Sequence, residues 1–189
     1  MRTDSRLTLA LAGLAPLFMA SDSLYAGMMA GGAFLTAHVL ASGFSLLSHP
    51  ELKRGQVFMI AMLGAAAGVG LFASVARVLD PLLFELLRHR VYAAPFLAPV
   101  VAAAHVPFGQ PERERGWENI VLGLALSVSL AVFGAVREFL ATATAPGSNH
   151  DGVSAFIPMA IQPAGAFILL GMITAAVQAL GRIKRRVGS

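Results

Sequence analysis

The sequence contains no cysteine. This absence excludes disulfide bonds, thiol nucleophiles, and any zinc or iron–sulfur site built on the chain's own thiolates. Charge is scarce as well, since charged residues make up 13% of the 189 residues, about half the share that is usual in soluble domains. Hydrophobic residues make up 57%. A soluble fold of this length needs a polar surface and could not bury so much apolar sequence.

Motifs of soluble enzymes are also missing from the sequence. There is no phosphate-binding loop, no dinucleotide fingerprint, no H-E-x-x-H pair and no G-x-S-x-G elbow. The formal net charge is +4, but the cations lie between apolar runs or near the chain ends and form no continuous basic face. We therefore expect no nucleic-acid partner.

Six uncharged apolar stretches dominate what is present. They cover residues 7–20, 24–47, 57–76, 91–108, 120–136 and 153–180. A helix needs about 20 apolar residues to cross the hydrocarbon core of a bilayer. The second, third and sixth stretches reach that length, and the fifth is marginal. The pattern predicts an all-α polytopic membrane protein with six transmembrane segments, forming one integral membrane domain over residues 1–189.

The first and fourth stretches are broken, the first by Gly13 and Pro16 and the fourth by three prolines. Such interruptions at membrane depth are typical of half-helices. Each broken segment begins a block of three segments. Because three is an odd number of crossings, the second block enters the membrane from the opposite side to the first and has the inverted orientation. This predicts an inverted 3+3 repeat, with repeat one at about 1–80 and repeat two at about 88–189. No cleavage site follows the first segment, so we expect it to be retained.

The distribution of Lys and Arg predicts the orientation. With the N-terminus inside, ten of these residues fall on the inner face and four on the outer face. We therefore predict a multi-pass membrane protein with both termini cytoplasmic. The segment 141–152 has no Lys or Arg, which indicates an exposed outer loop.

Small residues recur in the second and third stretches, where Gly27, Gly31 and the run from Gly64 to Gly68 stand out. Small residues allow close helix packing in lipid, and the alternative is a substrate path. Polar residues at depth are costly and therefore informative. His38 is expected either to bond a neighbouring helix or to serve as a proton relay or ligand. His105 follows an alanine run and is expected to point into protein.

Arg137 and Glu138 lie at the outer end of the fifth stretch. Adjacent helical residues cannot face each other, so each needs its own partner. We predict that both anchor the helix at the membrane interface, with an interior location as the alternative. Gln162 marks either the true start of the sixth helix or a cavity. His49, His89 and His150 are predicted to lie in loops, without the spacing of a metal site.

Four motifs in order along nearly the whole chain resemble those of the NqrD/RnfE membrane subunits. Residues 13–17 (GLAPL) resemble the family's GLCPLL start, and residues 99–109 (PVVAAAHVPFG) are similar to its PLIVTNCIVVG segment. The run from Glu118 to Glu138 resembles its fifth helix, and residues 163–168 (PAGAFI) are similar to PPGAFIGLG. The chain thus resembles a divergent member of the Rnf/Nqr family of six-helix integral membrane subunits.

The resemblance implies an integral subunit of an ion-translocating electron-transport complex in the bacterial inner membrane. The expected partners are a homologous six-helix subunit, other membrane subunits and the lipid bilayer. Half-helix cysteines help to hold an iron–sulfur cluster in the family, but Ala15 and His105 stand at those positions here. A [2Fe–2S] cluster needs four protein ligands. We therefore expect a scaffold without its own iron–sulfur ligands, at most a non-catalytic subunit of a membrane oxidoreductase complex.

His105 is a candidate cofactor ligand, to a heme or another metal, because histidine can replace cysteine at some iron sites. The alternative function is a small-solute or ion transporter, or a membrane scaffold, that reuses the same inverted-repeat fold. In that case the candidates for an ion or proton path are His38, Gln162, Arg137 and Glu138.

Overall fold

A computed structural model describes residues 18, 21–46, 54–92, 98, 112–147, 157–160, 162, 164–172 and 175. The described part is all-helical. Its helices are α1 (Leu24–Leu46), α2 (Arg54–Leu79), α3 (Pro81–Val91) and α4 (Glu112–Thr142), followed by a short 3₁₀ helix (Pro158–Ala160). Residues 164–172 are also helical.

Three of these helices are long and apolar enough to cross a membrane. The candidate spans are Leu24–Ser45, Gly55–Leu79 and Trp117–Thr142. They confirm the second, third and fifth predicted segments, and they are the helices of a membrane protein. Most of the first and fourth stretches and almost half of the sixth lie outside the described residues. Six crossings and the inverted repeat therefore stay predictions.

The fifth segment is not marginal, as its apolar run suggested. Helix α4 has 31 residues and so a length of about 46 Å, which exceeds the ~30 Å hydrocarbon core. The prediction was too short because it counted only the uncharged run 120–136. The helix continues through Arg137 and Glu138, which find partners inside the protein.

Helix α1 is the centre of the described bundle, with α2 and α4 packed against it. Its interior face consists largely of alanines that are fully buried. These are Ala26, Ala30, Ala33, Ala37 and Ala41. Because lipid gives no hydrophobic force between helices, their association depends on close packing, which small side chains allow.

Glycines bring α1 and α4 into contact at the level of the main chain. A Cβ atom added at Gly27 would collide with the carbonyl oxygen of Leu130, and one at Gly31 would lie 2.7 Å from that of Ser127. The hydroxyl of Ser127 also donates a 2.8 Å hydrogen bond to the carbonyl of Gly31. The two antiparallel helices are therefore held by backbone contact and by an interhelical hydrogen bond at this level.

The α1–α2 interface uses the small-residue motif of α2. Added Cβ atoms at Gly64 and Gly68 would lie 2.7 Å and 2.5 Å from the carbonyl oxygens of Leu40 and Thr36. The prediction that this motif serves packing is confirmed. Gly70, on the same helix, has nothing within 4 Å of an added Cβ.

Helix α3 was not predicted from the sequence. It begins with Asp80, whose carboxylate accepts a hydrogen bond from the main-chain N–H of Leu83 at 3.0 Å, followed by Pro81 in the first turn. Both are favoured residues at a helix start. His89 lies on this helix and is exposed. The prediction of a loop at His89 was wrong because α3 carries too few consecutive apolar residues to resemble a membrane segment.

Candidate functional site

The most buried charge among the described residues is Arg137, which is 0% exposed. It lies about 7 Å inside the end of its span at 1.5 Å per residue. Among the described residues, its guanidinium donates to four main-chain carbonyls. Nε bonds Ala160 at 2.8 Å, Nη1 bonds Ser21 at 2.9 Å and Phe18 at 3.2 Å, and Nη2 bonds Gln162 at 3.3 Å.

These four carbonyls belong to chain segments beside the ends of helices. Ser21 precedes α1, and Gln162 lies between the 3₁₀ helix and the helical residues 164–172. Carbonyls at such breaks lack part of the hydrogen bonding that a continuous helix gives, which is costly where water is scarce. Among the described residues, the N–H groups of Ser21 and Ala166 donate to two of these carbonyls, those of Phe18 and Gln162. The planar guanidinium offers five donors, so a single side chain can satisfy several of them at once. Arg137 therefore ties two breaks in the chain to α4.

Glu138 accepts hydrogen bonds from main-chain N–H groups, whereas Arg137 donates them to main-chain carbonyls. Its Oε2 accepts from the N–H of Leu24 at 2.8 Å, and its Oε1 accepts from that of Gly147 at 2.9 Å. Leu24 is the first residue of α1, where N–H groups lack partners and the helix dipole favours a negative charge. Gly147 has a φ of +80°, which glycine adopts without strain.

The two adjacent residues thus have separate partners, as predicted. The prediction that they anchor the helix at the membrane interface is wrong, because both are buried in the protein. Snorkelling to the interface is needed only when the interior offers no hydrogen-bond partners. Here the interior offers four carbonyls to Arg137 and two N–H groups to Glu138.

An ion pair extends this arrangement to α3. Arg90 makes two parallel hydrogen bonds to the carboxylate of Asp22, at 2.7 and 2.8 Å, and both side chains are partly buried. Paired N–H···O bonds of this kind are the geometrically specific form of an ion pair. We name Asp22, Arg90, Arg137 and Glu138, with the main-chain groups they bind, the Arg137 junction.

A second polar site lies toward the other end of α4. The Nε2 atom of fully buried His38 lies 3.0 Å from the carbonyl oxygen of Asn119 on α4. A carbonyl only accepts, so Nε2 carries the hydrogen. The ring stacks on Phe34 with centroids 5.5 Å apart, and a Cβ at Gly123 would lie 2.7 Å from it. The prediction of a bond to a neighbouring helix is confirmed.

The candidate path residues are not all brought together. Arg137 lies about 27 Å along α4 from the level at which His38 is bound, at 1.5 Å per residue. The Gln162 side chain is exposed, and only its main chain takes part in the junction. Its carbonyl also accepts from the N–H of Ala166 at 3.2 Å, which favours a helix start there over a cavity.

Other candidates fall outside the described residues, namely Ala15 and His105. Within the ranges that are described, no group of three or more His, Asp or Glu side chains is placed to hold a metal ion. The fold and these sites define a polytopic membrane protein with a charged junction at one end of its bundle.

Neither protein-family models nor curated proteins give a match to this chain.

Proposed function

We propose that this chain is an integral membrane subunit of an Rnf/Nqr-like ion-translocating electron-transport complex, acting as a scaffold without iron–sulfur ligands of its own. The observation that carries the proposal is the Arg137 junction. Broken helices whose ends meet inside the protein are typical of inverted-repeat membrane proteins. A junction that fixes such ends is what a scaffold subunit needs.

Residues of the Arg137 junction border or end three of the four resembling motifs in the sequence. Residues 13–17 directly precede Phe18, whose carbonyl binds Arg137, and residues 163–168 directly follow Gln162, which binds the same side chain. Arg137 and Glu138 end the third motif. The residues that adjoin these motifs, far apart in the sequence, are thus linked through one side chain, and this link supports the proposal.

The substitutions at the family's cysteine positions support the scaffold part of the proposal. Alanine at position 15 offers no ligand atom, so a standard [2Fe–2S] cluster lacks one of its four protein ligands there. His105 retains a nitrogen that can bind a metal or heme. Electron transfer would then depend on partner subunits, with this chain holding them in the bilayer.

The test is purification of the tagged chain from its native membrane in mild detergent. We expect a homologous six-helix subunit and subunits carrying flavin or iron–sulfur groups in stoichiometric amounts. Arg137→Gln should lose these partners, whereas Arg88→Gln, at an exposed ion pair with Glu85, should keep them. An iron–sulfur EPR signal that disappears in His105→Ala would overturn the claim that the chain binds no cluster.

The alternative is a small-solute or ion transporter, and the observation that favours it is His38, a titratable side chain buried inside the bundle. The test is flux through proteoliposomes that contain this chain alone. Flux that is lost in His38→Gln would establish the transporter and refute the scaffold proposal. Absence of flux, together with the expected partners, would support the scaffold.

A further inference from the structure

Helix α3 begins where α2 leaves the membrane. The span Gly55–Leu79 has 25 residues and a length of about 37 Å. This exceeds the ~30 Å hydrocarbon core but fits within the 40–45 Å that includes the headgroups. The uncharged run in α2 ends at the exposed Arg77. The Asp80–Pro81 turn that follows therefore lies at headgroup level.

Both ends of α3 lie at this same level. The contacts of Gly64 with Leu40 and of Gly68 with Thr36 set an antiparallel register that places the first residue of α1 level with Asp80. Arg90, near the other end of α3, bonds Asp22 just before α1 begins. Helix α3 therefore runs roughly parallel to the membrane plane at this level, packed against the neighbouring ends of α1 and α2.

The side chains of α3 divide into three sectors rather than two. Phe84, Leu87 and Val91 are buried against the bundle. At 100° per residue, Leu82 and Leu86 lie on the opposite side, where they are 83% and 74% exposed. A helix that meets only protein and water has one apolar face. The second apolar sector needs another apolar environment.

The remaining sector is charged. Glu85 and Arg88 pair with each other at 2.9 Å, and both are exposed between the two apolar sectors. Arg88 and His89 lie in the last turn of α3, and Arg77 lies four residues before its start. Basic and leucine-rich sectors side by side are typical of helices that lie in the headgroup–acyl boundary. Two further exposed apolar side chains, Val78 and Leu79, continue the leucine sector toward α2.

We propose that α3 is an interfacial helix whose partner is the lipid bilayer itself. Leu82 and Leu86 insert among the acyl chains, Arg77, Arg88 and His89 contact lipid phosphates, and Glu85 faces water. The Arg90–Asp22 ion pair connects this lipid contact to the Arg137 junction.

The absence of cysteine makes the test direct, because any introduced cysteine is the only one in the chain. Single variants Leu82→Cys, Leu86→Cys and Glu85→Cys carry a nitroxide label in the full chain, reconstituted into vesicles of phosphatidylcholine and phosphatidylglycerol. Collision rates with oxygen and with a water-soluble nickel chelate are then measured by EPR. Val128→Cys, exposed on a membrane span, and Ala145→Cys, exposed in a loop, calibrate lipid and water.

We expect oxygen collisions to exceed nickel collisions at positions 82 and 86, as at Val128, and the order to reverse at position 85, as at Ala145. Nickel access at positions 82 and 86 equal to that at Ala145 would overturn the proposal, because α3 would then stand in water. The same labels are measured in the complex purified with its partners. Low collision rates with both reagents there would show that a protein covers this sector and would also overturn the proposal.

Discussion

At the scale of single residues, Arg137 shows how a charge can be stable inside a membrane span. A guanidinium in hydrocarbon is costly unless protein groups replace its hydration. In this chain the replacements are main-chain carbonyls, which need hydrogen-bond donors of their own because they lie at helix breaks. The charge and the breaks therefore stabilise each other.

Replacing Arg137 should expose this mutual dependence. In Arg137→Gln, the amide can donate to at most two of the four carbonyls, and each lost hydrogen bond from the charged group costs about 1.5–3 kcal/mol. We expect the free energy of unfolding to fall by roughly 3 kcal/mol or more. The measurement is SDS-induced unfolding in mixed micelles, followed by circular dichroism.

Arg88→Gln is the matched control, since it removes an arginine from an exposed ion pair. Its effect should stay within about 0.5 kcal/mol. Arg137→Lys should fall between the two, because a lysine keeps the charge but cannot reach as many carbonyls. Equal stabilities for Arg137→Gln and Arg88→Gln would show that the junction does not stabilise the fold.

Glu138 gives a second test at this scale. Glu138→Gln keeps the shape but presents an NH₂ group to one of the two N–H donors, from Leu24 or Gly147. We expect a loss of about 1–3 kcal/mol of unfolding free energy. Glu118→Gln, exposed on the same helix, should change it by less than about 0.5 kcal/mol. Similar losses in both variants would contradict the assigned contacts.

The sequence identified Arg137, Glu138 and His38 as residues to examine, because polar groups in apolar runs are rare. It did not show that Arg137 is interior, since its partners are main-chain atoms as far as 119 residues away. Whether those carbonyls can accept a hydrogen bond from Arg137 depends on where the helices break. Asp22 and Arg90 were missed for a similar reason: they are 68 residues apart, and neither lies within an apolar run.

At the scale of helices, two glycines of α2 can be compared. One lies where any side chain would collide with a neighbouring helix, and the other lies where a side chain would fit. Gly68→Ala places a Cβ 2.5 Å from the carbonyl oxygen of Thr36, so α1 and α2 must move apart. Gly70→Ala, two residues along the same helix, meets nothing within 4 Å. We expect the first substitution to lower the unfolding free energy by about 1–3 kcal/mol.

Gly70→Ala should be neutral or stabilising by up to about 1 kcal/mol, because alanine favours helix over glycine. The same unfolding titration measures both variants. If Gly68→Ala also proved stabilising, helix propensity would outweigh packing and the close α1–α2 contact would be refuted.

The Asp22–Arg90 pair can be tested by exchanging its charges. Asp22→Arg and Arg90→Asp each leave two like charges facing one another in a partly buried site. We expect each single variant to be less stable and the double variant to recover part of the loss. The measurement is the coupling energy of the double-mutant cycle. A coupling energy near zero would mean that the ion pair does not hold α3 to the start of α1.

The long helices followed from the apolar runs, since bilayer thickness fixes how many such residues a span requires. Helix α3 was not predicted because it has only 11 residues and its leucines are interrupted by Glu85 and Arg88, so it does not form a long apolar run. Its start did carry a local signal in Asp80 and Pro81. The register between the spans was not predictable, because it depends on which glycines find a neighbouring backbone.

At the scale of the whole molecule, the antiparallel spans place Ala145 and Arg88 at one end of the bundle and Gln56 at the other. We expect Ala145→Cys and Arg88→Cys to react with a membrane-impermeant maleimide applied to intact cells. Gln56→Cys should react only after the cells are opened. Reaction of Ala145→Cys and Gln56→Cys from the same side would contradict the arrangement of spans.

The partners of Arg137 also have a consequence for biosynthesis. The carbonyls of Phe18 and Ser21 are made long before this arginine, whereas those of Ala160 and Gln162 follow it by 23 and 25 residues. A nascent chain that has just completed α4 therefore carries a guanidinium with half of its acceptors still untranslated. Arginine opposes helix insertion. We expect α4 to stay beside the translocon until the Pro158–Ala160 turn emerges, so that this junction closes among the last steps of assembly.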